Sequence, residues 1–195
     1  NRLEQLAMPH WALGRVMDLS VDLVGMTGSL PPAVERKSVV VMAGDHGVTE
    51  EGVSKYPSEV TEQMIYNFVD GGAGINALAG CVDAGVIVVD MGTEADLDEL
   101  AGRGAIISKS VRRGTDNIAE GPAMSRDEAR RAVEGGIEVA LDLDGEMDVF
   151  GTGDMGIGNT TPSAAIAAAV TGLEPSAVTG RGTGIDDEGL QHKIE

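Results

Sequence analysis

Apolar positions along this chain fall into two kinds of block. Leu6, Leu13, Val16, Met17, Leu23 and Val24 recur at helical spacing across residues 3–26, with Pro9 placed to open a helix before Trp11, so the chain is expected to begin as helix. Residues 38–43 are instead a continuous, largely β-branched apolar run, the pattern of a parallel strand buried on both faces. Val60, Met64, Ile65 and Phe68 then share one face of a predicted helix at 58–68, behind Pro57 and the potential cap Ser58. A short helix is expected at 75–79 and a second buried strand at 86–90, with a third strand at 106–111. Ser125 and Glu128 have capping-box spacing and open an amphipathic helix through Ala129, Val133, Ile137 and Leu141. A fourth strand at 147–151, a glycine-rich loop and an alanine-rich helix at 161–171 complete the alternation. Strands alternating with helices imply an α/β fold, a parallel sheet with helices on both faces in a Rossmann-like three-layer arrangement, preceded by an N-terminal helical segment over residues 1–30.

In such a sheet a ligand sits beyond the carboxyl ends of the strands. Three polar, glycine-rich segments fall at those ends: Gly44-Asp45-His46-Gly47, Asp90-Met91-Gly92, and the stretch from Gly151 to Thr161. Gly151, Gly153 and Gly156 have the G-x-G-x-x-G spacing of a dinucleotide loop, but Glu174, the acidic residue at the required distance, sits in a turn, and the motif comes late in the chain. The segment therefore reads as a cradle for a monophosphate, formed by N–H groups at a helix start with side-chain donors from Asn159, Thr160 and Thr161. Asp45 and His46 have ligand chemistry for a metal. With His10, His46 and His192 the only histidines, an orienting hydrogen-bond role for the pair is preferred, and no metal is expected. Arg181 and Lys193 follow the cradle, either as solvated charges or as cations for a bound phosphate.

A formal net charge of −18 argues against nucleic acid or an anionic membrane as a partner. Lone Cys81 excludes an internal disulfide and no apolar run approaches the ~18 residues of a spanning helix, so a cytoplasmic protein is expected. Asn1 in place of an initiator Met, and a polar end at Glu195, read as cuts at both termini.

Gly44-Asp45-His46-Gly47-Val48, Glu51-Gly52-Val53-Ser54, Tyr56-Pro57, Glu59-Val60-Thr61, Gln63-Met64, Asn67-Phe68 and Gly71-Gly72 together resemble the signature block of the nicotinate-nucleotide:dimethylbenzimidazole phosphoribosyltransferases. Gly121-Pro122-Ala123-Met124 and the long Gly153-to-Pro162 block resemble that family too, and the likeness runs from Arg2 to Lys193. It implies transfer of phosphoribose from nicotinate mononucleotide to a benzimidazole in cobalamin biosynthesis, by a homodimer without cofactor. By the resemblance, Gly153, Asp154, Gly156, Gly158, Asn159, Thr160, Gly182 and Lys193 surround the phosphate and ribose, with Asp154 standing where the family more usually has Glu. Asp45, His46, Tyr56 and Gln63 border the benzimidazole and the reacting carbon. Residues 31–195 then form a nucleotide-binding α/β domain incomplete at its C-terminus, because the family's general base is a Glu in a later Gly-Glu-Gly motif that does not occur here. Two alternatives remain open: a non-catalytic remnant that binds phosphate or self-associates, and a metal-dependent phosphohydrolase built on Asp45, His46 and Asp90.

Overall fold

The computed structural model describes residues 2–9 and 12–195, so the helix start expected between Pro9 and Trp11 falls partly outside the described residues. What precedes it is a 3-10 turn, Leu3–Gln5, and the opening helix, α1, is Arg15–Thr27, closed by Gly28 in a left-handed conformation. The single helical run expected over residues 3–26 is therefore two pieces.

Four parallel strands follow: β1 (Lys37–Gly44), β2 (Ala84–Gly92), β3 (Ile107–Ser108) and β4 (Val149–Met155), in the spatial order β3-β2-β1-β4. Successive strand residues point to opposite faces, and each face has its own helices. On one, Val41, Ala43 and Val88 pack with Ile65 and Phe68 of α2 (Glu59–Val69), and with Leu97 and Leu100 at α4 (Asp98–Gly102); α3 (Gly74–Gly80) lies between these helices in sequence. On the other, Val40 and Val89 pack with Val139 and Leu143 of α5 (Arg126–Leu143). The capping box opens α5 as read: the Glu128 amide donates to Ser125 Oγ at 3.2 Å, and the Ser125 amide to Glu128 Oε2 at 2.7 Å. The α/β architecture with helices on both faces is thus present.

Two strand boundaries need correction. β3 keeps only Ile107 and Ser108 of the run expected at 106–111: the Lys109 amide still donates to the Asp90 carbonyl at 2.8 Å, while its side chain pairs with Glu138 at 2.8 Å, and the residues after it leave the ladder. β4, expected to stop at Gly151, runs on to Met155, with Gly151, Thr152, Gly153 and Asp154 paired to Val39, Val40, Val41 and Met42. Main-chain pairing with β1 needs no side chain, so glycines that resemble a loop extend the strand.

The chain leaves β1 toward β2 and β3, then crosses back to place β4 on the other side of β1. β1 and β4 are neighbours whose connections diverge, which makes the gap beyond their carboxyl ends the topological switch point. Three helices close the described chain: α6 (Thr160–Thr171), α7 (Pro175–Val178) and α8 (Asp187–Ile194). No helix among the described residues is long and apolar enough to cross a membrane.

Candidate active site at the ends of β1 and β4

A cavity of about 410 Å³ and another of about 330 Å³ flank the start of α6. The smaller lies over the switch point and is lined by Met42, Gly44, His46, Asp154, Asn159 and Ser163, among others. Val48, Val53, Ile118, Thr161, Ala164 and Lys193 line the larger, on the side of α6 facing the loop after β1.

His46 is held by its backbone, since the segment leaving β1 is sewn to residue 115: the Thr115 amide donates to the Asp45 carbonyl at 3.1 Å, and the Gly47 amide to the Thr115 carbonyl at 3.1 Å. Burial pushes the imidazole below its usual pKa, partly opposed by the carboxylates of Asp45 and Asp154, so it stands neutral at physiological pH. Asp45 is buried; one oxygen accepts the Glu94 amide at 2.9 Å while Oδ1 is buried without a hydrogen-bond partner. Asp90 faces its own turn instead, accepting the amides of Gly92 at 3.0 Å and Thr93 at 2.9 Å and the Thr93 hydroxyl at 3.1 Å. Among the described residues no three His, Cys, Asp or Glu side chains converge on a possible metal position, which weighs against a phosphohydrolase built on Asp45, His46 and Asp90.

Between β4 and α6 the chain turns over Gly156–Asn159 only. A methyl group on Gly156 would collide with the Gly44 carbonyl and lie 3.2 Å from His46 Nε2, while Gly158 has φ +81° and passes close to Thr49. By contrast, a Cβ on Gly153 would meet Val41 and Val39 at ordinary contact distances of 3.6 and 3.7 Å. Several amides of this turn are satisfied locally: Ile157 donates to Thr61 Oγ1 at 3.1 Å, Asn159 to the Gly156 carbonyl at 3.1 Å, and Thr161 to the Gly158 carbonyl at 2.9 Å. Three of the main-chain N–H groups expected to form a cradle are therefore already taken up within the fold.

The side-chain donor that meets the start of α6 is Lys193 on α8. It is buried, 8% exposed, and donates to Thr160 Oγ1 at 2.6 Å and to the Gly180 carbonyl at 3.2 Å. Its two hydrogen-bond partners are neutral, and desolvation lowers its pKa. Gly182, at φ +50°, keeps the third side of this group open: a Cβ there would sit 3.0 Å from Thr160 Oγ1 and 3.4 Å from Lys193 Nζ. Two neutral acceptors leave one ammonium N–H for an anion. Asp154 accepts a hydrogen bond from Asn159 Nδ2 across the mouth of the smaller cavity. The Thr161 hydroxyl is buried without a partner beside the larger one.

The structure thus gathers His46, Asp154 and Asn159 at one cavity and Thr161 and Lys193 on the wall of the other, with Thr160 and Gly182 against the Lys193 ammonium. Tyr56 is 56% exposed, Gln63 is exposed on α2, and neither lines these two cavities. Arg181 turns to Asp187 and to the Ile185 carbonyl, 3.0 Å away. Sequence reasoning missed Thr61, fully buried and the acceptor that fixes Ile157. Its signal was a threonine in register with Ile65 and Phe68 on the apolar face of α2. It also missed Thr183, whose hydroxyl meets Ser54 and the Lys55 amide.

A gap beyond the carboxyl ends of two paired strands whose connections diverge, with a helix start beside it and a desolvated lysine on the next cavity wall, has room and charge for an anionic small molecule. A family model described as phosphoribosyltransferase matches residues 1–195, and the chain belongs to that family. It is 57% identical over 194 residues to the nicotinate-nucleotide–dimethylbenzimidazole phosphoribosyltransferase of Desulfotalea psychrophila, and 55% identical to that of Syntrophotalea carbinolica, covering 100% of this chain in each case. These matches cover 55% of each relative, so the chain spans about half the length of the curated proteins it resembles. The crystal structure of CobT from Thermus thermophilus superposes with a TM-score of 0.91 at 46% identity, over 99% of this chain and 57% of that one.

Proposed function

We propose that this chain is the donor-binding part of an enzyme that moves phosphoribose from nicotinate mononucleotide to dimethylbenzimidazole. The observation that carries the proposal is Lys193, a buried cation with only neutral partners, turned toward Thr160 and the open backbone at Gly182. A phosphate there relieves the desolvation that depresses the lysine's pKa and takes up its free N–H. The ribose then extends toward Asn159 and Asp154, and its anomeric carbon lies over the end of β1 near His46.

In the reaction, a benzimidazole nitrogen forms a bond to the anomeric carbon as the bond to the nicotinate ring nitrogen breaks. The electron pair returns to that ring, cancelling its positive charge, and the configuration at carbon inverts. The attacking base must lose its N–H proton. Asp45 and the neutral His46 hold the end of β1 in place for this step, and the proton passes to the Glu of a Gly-Glu-Gly motif that does not occur in these 195 residues. Fixing donor and acceptor together supplies the rest of the acceleration. The same reading includes a homodimer in the cytoplasm, supported by the apolar surface that α1 exposes at Val16, Leu19 and Met26.

Calorimetry with nicotinate mononucleotide is expected to show saturable binding with one site per chain; absence of binding overturns the proposal. Nicotinate release by residues 1–195 alone, on adding dimethylbenzimidazole, contradicts the placing of the proton acceptor outside them.

A further inference from the structure

The segment carrying the phosphate-facing residues is tied to a second segment far away in sequence. Lys55 donates its backbone N–H to Thr183 Oγ1 at 2.9 Å, and the Thr183 and Ser54 hydroxyls lie 3.1 Å apart, so either can donate to the other. Ser54 Oγ in turn accepts the Tyr56 amide at 3.3 Å. Thr183 is the immediate neighbour of Gly182, whose backbone borders Lys193 Nζ and Thr160 Oγ1. It stands in a tight turn: the amides of Gly184 and Ile185 both donate to the Arg181 carbonyl, at 2.9 and 3.2 Å. A parallel tie joins the same two regions, His192 Nε2 lying 2.9 Å from the Glu51 carbonyl oxygen.

From this we propose that Thr183 is a positioning residue that links donor binding to order in residues 54–56, the segment that includes Tyr56. The link works because Gly182 and Thr183 are consecutive: a phosphate seated against Gly182 and Lys193 fixes the turn 181–184, and the turn holds the Thr183 hydroxyl where the Lys55 amide and the Ser54 hydroxyl meet it. Without phosphate the turn is exposed, and water competes for each of these hydrogen bonds. Donor binding therefore orders the Tyr56 segment, which the family resemblance sets near the acceptor, a coupling between two regions through a shared element. The inference rests on the donor site proposed above.

Hydrogen exchange of the 53–57 segment, with and without saturating nicotinate mononucleotide, tests it in the wild type, Thr183→Val and Thr183→Ser. Valine keeps the shape and removes only the hydroxyl, and the site is exposed, so the urea midpoint is expected to stay close to wild type. In the wild type the nucleotide is expected to slow exchange at Lys55 by about fivefold, the scale of a net hydrogen bond. Thr183→Val is expected to abolish that slowing and, because the coupling is reciprocal, to weaken nucleotide binding in calorimetry by up to about the same fivefold, and Thr183→Ser to restore both. If the wild type does not bind the nucleotide, the donor-site proposal fails and this one with it. If it binds but Lys55 exchange does not respond, or responds equally in Thr183→Val, the role of Thr183 alone is overturned.

Discussion

One added methyl group probes the turn after β4. At Gly156 a Cβ runs into the Gly44 carbonyl and crowds His46, and backbone cannot yield as a flexible side chain can. Gly156→Ala is expected to cost about 3 kcal/mol in urea unfolding, at the upper end of the overpacking range, whereas Gly153→Ala, with ordinary contacts, is expected to change stability little. Lys193→Met keeps the buried stem and removes the charge. It is expected to weaken nicotinate mononucleotide binding about 10- to 100-fold by calorimetry, the range for a hydrogen bond to a charged group. At this scale the sequence was legible where a local pattern announces itself: Asp154 and Asn159 stand in the glycine-rich block that the structure sets beside a cavity, whereas Lys193 reads equally as a solvated charge until its burial is seen. It was opaque where a role depends on a partner far along the chain. Nothing near Thr183 names Ser54 or Lys55, and Thr61 reads as one more residue on a helix face until Ile157 is seen against it.

Elements were legible in proportion to their local signals. The capping box set the start of α5, and Ser125→Ala is expected to cost about 1 kcal/mol in chemical denaturation. β1 and β2 were plain from their apolar runs, but the extent of β4 was hidden, since its glycines pair through backbone and carry no pattern. Pairing of β1 with β4 is reinforced at its start by Asp148, which accepts the amides of Glu35 and Arg36 at 3.0 and 2.9 Å and the Arg36 guanidinium at 2.7 Å. These hydrogen bonds bring the Asp148 carboxyl down to about 2. A carboxylate with its folded pKa depressed contributes stability that is complete above its unfolded value of about 3.9 and disappears as the pH falls through the folded value. Asp148→Asn is therefore expected to flatten the decline in urea midpoint between about pH 4 and pH 2; an unchanged slope would show that the hydrogen bonds do not persist in solution.

For the whole molecule, strand order decides where the chemistry sits. With β1 central and β4 reached only after β3, His46 and Asp154 arrive side by side at the one place where neighbouring connections diverge. The alternation of strands and helices gave the layers; the order of strands, and so the location of the gap, required the structure. Net charge bears on this scale too. At −18 the chain repels an anionic ligand at long range, so the proposed recognition rests on the local lysine and on the phosphate that would meet it. The most direct measurement is the ratio of affinities for nicotinate mononucleotide and nicotinate riboside, which differ only in that phosphate. A mononucleotide preference of at least about 100-fold, reduced about 10- to 100-fold in Lys193→Met, is the expected result; equal affinities, or a preference left unchanged by the substitution, would contradict the placing of the phosphate at Lys193 and Thr160.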